Sequence, residues 1–293
     1  MSTTIEAIVN GTAYNLTDAT LVWSEGNSGL GMAPLHHITE RGPLQHGVSY
    51  LGFRLDPRVI QLVFGMSPAS QSALWTARED LMQIFAPSTS PISMRWTLDD
   101  GSVRQIDAVY SGRLDYPTAD RRGWYQRSVV ELVAHDPTFY NPVQTTLYWT
   151  ISGGMSVPLD IPWAVGAATS LTGSESVYYT GTWSAFPVVR ITGPIHDPVV
   201  ENVTTGETLD FTGATIGAGD YYEIDCRYGY KTVKNKAGTS KIAELLDTSD
   251  LATFHIAPAP EATNGVNSFE ATGSATDVTT QVALQYYARY IGI

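Results

Sequence analysis

The stretch Val278-Thr-Thr-Gln-Val-Ala-Leu-Gln-Tyr-Tyr-Ala-Arg-Tyr290 alternates in polarity along its length. Val278, Thr280, Val282, Leu284, Tyr286, Ala288 and Tyr290 fall on one side, with Thr279, Gln281, Gln285 and Arg289 on the other. Period two held over 13 residues predicts a long strand with one buried face. Tyr222, Ile224 and Cys226 alternate in the same way with Tyr221, Glu223 and Asp225. That places the lone cysteine on the apolar side, as an inert core thiol rather than a reactive one. Tyr, Thr, Val, Gly and Pro are abundant between such runs, and the fold class read from them is mainly β.

Working outward, Ile92, Met94, Trp96 and Leu98 alternate up to Asp99-Asp100-Gly101-Ser102, and Val103 to Tyr110 returns, the pattern of a hairpin with an Asp-Gly turn. One segment departs from period two. Ser67-Pro68 suits an N-cap and first helical residue. Leu74, Ala77, Arg78, Leu81, Met82 and Phe85 follow at helical spacing, and Pro87 stops the run. This predicts one helix near 68–85. Between Ser24 and Gly47 the chain is rich in glycine, with Pro34, Pro43 and three histidines. It reads as a long structureless loop over 24–48, and such loops are usually functional. At Asp136-Pro-Thr-Phe-Tyr-Asn-Pro142 two prolines follow an apolar run and end any sheet, so a domain boundary is expected there, with domains 1–141 and 142–293.

Charge divides unevenly across that boundary. Residues 1–141 carry 14 acids and 10 bases, and 142–293 carry 15 and 7. The net charge of −12 excludes a basic nucleic-acid footprint, because a surface of this sign repels phosphate. No segment reaches the roughly 18 apolar residues of a membrane helix, and the start has neither a basic region nor an apolar run. A single cysteine allows no disulfide within the chain and no thiolate cluster. The reading is a soluble protein, without a membrane partner, made in a reducing compartment.

Few residue groupings in the sequence point to chemistry. Gly29-Leu30-Gly31 begins like a dinucleotide loop, but Pro34 stands at the third glycine and no βαβ unit surrounds it. His36, His37, Glu40 and His46 are metal ligands by type, yet the bland reading of loop histidines is stronger. Asp99 with Asp107, or Asp220 with Asp225, are possible glycosidase pairs by type, but separation in space defines that mechanism and sequence does not supply it. Trp149, Trp163 and Trp183 qualify as sugar platforms by residue type alone. Lys231, Lys234, Lys236 and Lys241 read as the solvated tip of a hairpin around Gly238. No catalytic residue, metal site or cofactor is assigned, and the chain is not read as an enzyme.

Two stretches carry a family pattern. The first is the order of strands, long loop, Arg58-Val-Ile-Gln-Leu62, helix, Asp-Gly hairpin and the closing Asp136 to Pro142 motif. The second is Ala185-Phe-Pro-Val-Val-Arg-Ile-Thr-Gly193, then Pro198-Val-Val-Glu-Asn-Val-Thr-Thr-Gly-Glu207, then Gly219-Asp-Tyr-Tyr-Glu-Ile-Asp225. Together these resemble the distal tail proteins of long-tailed bacteriophages with non-contractile tails, over almost the whole chain.

The resemblance implies an N-terminal split β-barrel with one helix and a C-terminal galectin-like β-sandwich. It also implies a hexameric ring in the virion, made in the host cytoplasm. Such a ring joins the tail tube protein to the tail-tip or baseplate proteins, and DNA passes through its lumen without specific binding. A galectin sugar site is not implied, since His255-Ile-Ala257 and His196-Asp-Pro198 both depart from His-x-Asn-x-Arg.

Within this reading the 24–48 loop becomes an arm around a neighbouring subunit, with Leu30, Met32, Leu35, Ile38 and Leu44 buried there and Arg41 setting register at the rim. The boundary motif is Asp136, Pro137, Tyr140, Asn141 and Pro142. The alternative is a carbohydrate-binding protein that recognises a host through its C-terminal sandwich. A polysaccharide hydrolase is a third and weaker reading.

Overall fold

A computed structural model describes residues 3–18, 21–23, 25–150 and 170–293. The chain divides into two compact units, Met1–Pro142 with Tyr290–Ile293, and Val143–Arg289. No helix among the described residues is long and apolar enough to cross a membrane.

The first unit contains β1 (Thr4–Val9), β2 (Thr12–Asn15), β3 (Leu21–Trp23), β4 (Leu35–Glu40), β5 (Ser49–Leu55) and β6 (Arg58–Met66). The helix α1 (Gln71–Ile84) follows, then β7 (Ile92–Thr97), β8 (Val103–Asp115), β9 (Gln126–Ala134) and β10 (Phe139–Tyr140). Its main sheet runs β2-β1-β7-β8-β9-β6-β3, antiparallel throughout. β8 joins the two halves of this sheet: its first part pairs with β7 and, from Val109, the strand pairs with β9. The register shifts between Tyr110 and Arg113, and an irregularity of that kind bends a strand and raises its twist. A split barrel results. Ile5, Ala7, Met94, Trp96 and Ile106 fill the core from one half, and Leu62, Phe64, Val130 and Leu132 from the other.

The Asp99-Asp100-Gly101-Ser102 turn forms as the sequence predicts, and Asp100 Oδ1 accepts from the Ser102 N–H at 2.8 Å. The helix is shorter than its periodicity suggests. Ser70, not Ser67, is the N-cap: its hydroxyl accepts from Ala73 N–H at 3.2 Å, so Pro68 lies outside the helix. Leu74, Leu81, Ile84 and Phe85 are buried, whereas Met82, on the expected apolar face, is exposed.

The second unit contains β11 (Thr145–Thr150), β12 (Ser170–Tyr178), β13 (Val188–Thr192), β14 (Ile195–Asn202), β15 (Glu207–Asp210) and β16 (Thr215–Ile216). β17 (Tyr221–Asp225), β18 (Thr232–Asn235), β19 (Val266–Ser274) and β20 (Gln281–Tyr286) complete it. One sheet runs β11-β20-β13-β17-β18 and the other β12-β19-β14-β15, with β16 also on β14. Rings from both sheets meet in one core, Trp149 of β11 against Phe269 of β19 at 6.2 Å. This is a two-sheet sandwich.

The terminal stretch is not one continuous strand. β20 begins at Gln281 and ends at Tyr286, and β21 (Arg289–Tyr290) is separate. Thr280, Val282, Leu284, Tyr286, Ala288 and Tyr290 are buried as the alternation requires, but Val278 is 97% exposed. It sits in a turn where Asp277 Oδ1 accepts from Thr279 N–H at 2.7 Å, a local bond that competes with strand pairing. The chain then returns to the first unit at Tyr290, where the Arg104 guanidinium lies 3.5 Å from the Tyr290 ring centroid.

Candidate subunit-interface hairpin and its anchor

The 24–48 segment is not structureless. Leu35–Glu40 is strand β4, and it pairs with β5 in a two-stranded sheet of its own. Leu35 opposes Leu55 and His37 opposes Phe53, so these four share one face. Tyr50 joins them, its ring centroid 5.6 Å from that of His37. The register shifts after Ile38, where Thr39 pairs with Tyr50 and Leu51 becomes the extra residue of a bulge. His36, Ile38 and Arg54 take the opposite face. The tip is ordered by Gln45, whose side-chain oxygen accepts from Gly42 N–H at 3.0 Å while Arg41 Nε donates to its carbonyl at 3.3 Å.

Every residue of β4 is exposed, and Met32, Val48, Tyr50, Leu51 and Phe53 are exposed with them. Leu44, at the tip, is 96% exposed. Leu30, nearer the root, is half-buried. An isolated two-stranded hairpin is marginal in water, and here apolar side chains lie open on both of its faces. Of the apolar residues the sequence reading named for an interface, Met32, Leu35, Ile38 and Leu44 are exposed and Leu30 is half-buried; Val48, Tyr50, Leu51 and Phe53, exposed beside them, were not named. The paired strand after Gly47 was the signal.

The root of this hairpin is tied to β6. Asn27 Oδ1 accepts from Val63 N–H at 2.8 Å, and Ser28 exchanges backbone bonds with Gln61 at 3.0 and 3.1 Å. A Cβ on Gly29 would lie 2.0 Å from the Val59 carbonyl, so only glycine fits there. Next to it lies Arg58, 0% exposed. Its Nη1 donates to the carbonyls of Gly29 and Gly31, both at 2.6 Å, its Nε to Pro137 at 2.8 Å and its Nη2 to Ile291 at 2.5 Å. The guanidinium also lies 4.8 Å from the Phe139 ring centroid. Burial lowers its pKa to about 10, and it stays a cation at neutral pH.

The boundary motif thus forms part of the anchor. Asp136 Oδ1 accepts from the Thr138 hydroxyl at 2.8 Å, which turns the chain and aims the Pro137 carbonyl at Arg58. Tyr140 donates its hydroxyl to Asp107 at 3.0 Å and accepts from Gln105 Nε2 at 2.8 Å. Burial, then the Asp107 carboxylate, push the Tyr140 phenol up to about 12. Asn141 and Pro142 are half-buried at the end of the unit.

No family model matches the chain, and no curated protein matches it. Among solved structures it is similar to the SPP1 Dit protein, described as a paradigm of the hub adsorption apparatus in phages infecting Gram-positive bacteria. The TM-score is 0.62 at 14% identity, over 99% of each chain. This is the Dit fold. Chains of the phage P2 baseplate in its activated conformation, with Ca or with Sr, are similar at TM-scores of 0.44 and 0.42 and identities of 11% and 10%, over 97% of this chain and 98% of theirs.

On this Dit fold the remaining candidates take other roles. His36 and His37 are neighbours in β4 and point to opposite faces, which removes them as a chelating pair. Trp149 is buried against Phe269, Trp183 is half-buried, and Trp163 lies outside the described residues. Asp107 holds Tyr140 and Ser93, and Asp225 holds Arg227 at 2.7 Å.

Lys231 is not part of a solvated tip. Its Nζ donates to the carbonyls of Cys226, Leu251 and Ala252 at 2.6, 3.2 and 2.7 Å. His255 lies between Glu207 at 2.9 Å and Glu261 at 3.1 Å. Burial alone would lower its pKa, but the hydrogen bond and charge of Glu207 raise it to about 9. His196 lies within 3.1 Å of the Thr215 hydroxyl.

Proposed function

We propose that the chain is a structural subunit of a bacteriophage tail tip, which assembles as a ring, with six subunits expected, between the tail tube and the tip or baseplate. The reading rests on one observation above all: likeness to SPP1 Dit over the full length of both chains, covering both units in order. The hairpin adds a physical reason for assembly. Apolar side chains on both faces of a two-stranded sheet gain stability only by burial against another surface. A heterologous contact repeated with a closing rotation makes a ring. DNA crosses the lumen, and a subunit of charge −12 adheres to it weakly. The protein acts by assembly in the virion and catalyses nothing.

The solution mass of the purified protein tests this. A species of six subunits is the expected result, and a monomer at every concentration overturns the ring.

A further inference from the structure

We infer that Arg58 and the tripeptide Ile291-Gly292-Ile293 position the β4–β5 hairpin, so that the grip on its root is completed only by residues added after the whole second unit. The consequence for assembly rests on the ring reading above; the positioning itself does not.

Three consecutive carbonyls are held in the leg that leads into β4. Those of Gly29 and Gly31 accept from Arg58 Nη1, and that of Leu30 accepts from the Ile293 N–H at 3.0 Å. Arg58 itself opens β6, the strand that continues the other leg, and Asp56 N–H donates to Pro34 O at 3.0 Å to close the hairpin base. Both legs are therefore gripped at one point.

The tripeptide completes the grip. Ile291 supplies a fourth acceptor to Arg58, and Gly292 packs so closely that a Cβ there would lie 2.6 Å from the Gly31 carbonyl oxygen. A two-stranded sheet exposed on both faces cannot fix its own direction by packing, so direction has to come from the root. A pre-set root also lowers the ordering cost that falls on subunit contact. Residues 290–293 follow Val143–Arg289 in the chain, so the grip closes only after that unit has been made. An incomplete chain carries a loose hairpin and is a poor partner for ring growth.

The test uses the full chain with Gly292→Val, Arg58→Lys and, as control, Gly217→Ala, read by hydrogen exchange and by oligomer mass. No atom lies within 4 Å of a Cβ on Gly217, which is outside the grip, so the control should behave as wild type. Gly292→Val should raise exchange at 28–31 and 35–55 about tenfold or more while 92–97 and 129–133 stay protected, and the ring fraction should fall with it. Arg58→Lys keeps the charge but replaces a fork with a single ammonium that cannot hold four carbonyls in place, and should give the same pattern. Unchanged exchange at 28–55 in Gly292→Val, or equal opening of 92–97 and 129–133, overturns the inference. If the wild-type protein is a monomer, the ring reading fails and the exchange pattern still decides the positioning.

Discussion

The Arg58 guanidinium donates to the carbonyl of Ile291, 233 positions further along the chain, at 2.5 Å. A buried cation is normally met by a carboxylate. Here the hydrogen bonds found go to four backbone carbonyls, contributed by the hairpin root, the boundary motif and the last residues. Removing the side chain while keeping an apolar filler, Arg58→Met, strands those acceptors. The expected loss of stability is about 3–5 kcal/mol, read from a shift in urea midpoint at unchanged slope. A loss below about 1 kcal/mol would mean that water or other donors replace the guanidinium.

The same bond changes what a cut at the boundary should do. Residues 143–289 are expected to fold alone, with a cooperative melt, since their two sheets bury a shared core. Residues 1–142 alone lack Tyr290 over Arg104 and Ile291 beside Arg58. Their melting temperature should fall below that of the same unit in the full chain, and addition of residues 290–293 through a short linker should restore it. Equal stability of 1–142 with and without those residues would contradict the account.

Much of this fold was legible because local pattern and burial agree. The alternation of Ile92, Met94 and Trp96 and of Tyr222, Ile224 and Cys226 matches side chains that are buried. The hairpin at 35–55 was hidden for the opposite reason. Both of its faces are exposed, so His36-His37 and Arg54 sit among Leu and Phe without a polar and an apolar side, and the bulge at Leu51 shifts the period by one. In the sequence Arg58 reads only as the start of an apolar strand. Its role depends on carbonyls from remote segments, which no residue type announces.

His255 gives the sandwich a pH dependence of defined sign. Its folded pKa of about 9 lies above the ordinary 6.5, so its stabilising effect is whole below about pH 6.5 and is lost as pH rises through 9. Allowing for partial solvent screening, the loss is on the order of 1–2 kcal/mol. Thermal melts between roughly pH 6 and 10 should decline over that window, and His255→Gln should flatten the curve. A wild-type curve as flat as the variant's would remove the Glu207 pairing as its source.

Cys226 is fully buried behind Tyr222 and Ile224, and burial pushes its thiol up to about 12. It should resist alkylation in the native protein and react once unfolded. Cys226→Ser places a hydroxyl in that apolar site and should cost on the order of 1–3 kcal/mol. Rapid native labelling would show that the β17–β18 region opens far more readily than its burial suggests.

The last prediction separates folding from assembly. Tyr50 and Phe53 lie exposed on one face of the hairpin beside His37 and Leu35, so in an isolated subunit they contribute little to stability. The pair Tyr50→Ser and Phe53→Ser should shift the melting temperature of the monomer hardly at all, since exposed substitutions usually fall within about 0.5 kcal/mol. In a ring the same rings would be buried against a neighbour. Tyr50 is 59% and Phe53 47% exposed, so covering each removes roughly half of the 150–250 Å² of a full aromatic side chain from water, at about 25 cal/mol per Å², and the loss is repeated at every contact around the ring. The double variant should therefore stay folded, with native circular dichroism, and sediment as a monomer at concentrations where the wild type is assembled. If it forms full rings with wild-type affinity, the hairpin face is not the subunit contact. The contact would then lie on another surface, and the exposed edge strand β2 of the split barrel is the first to test.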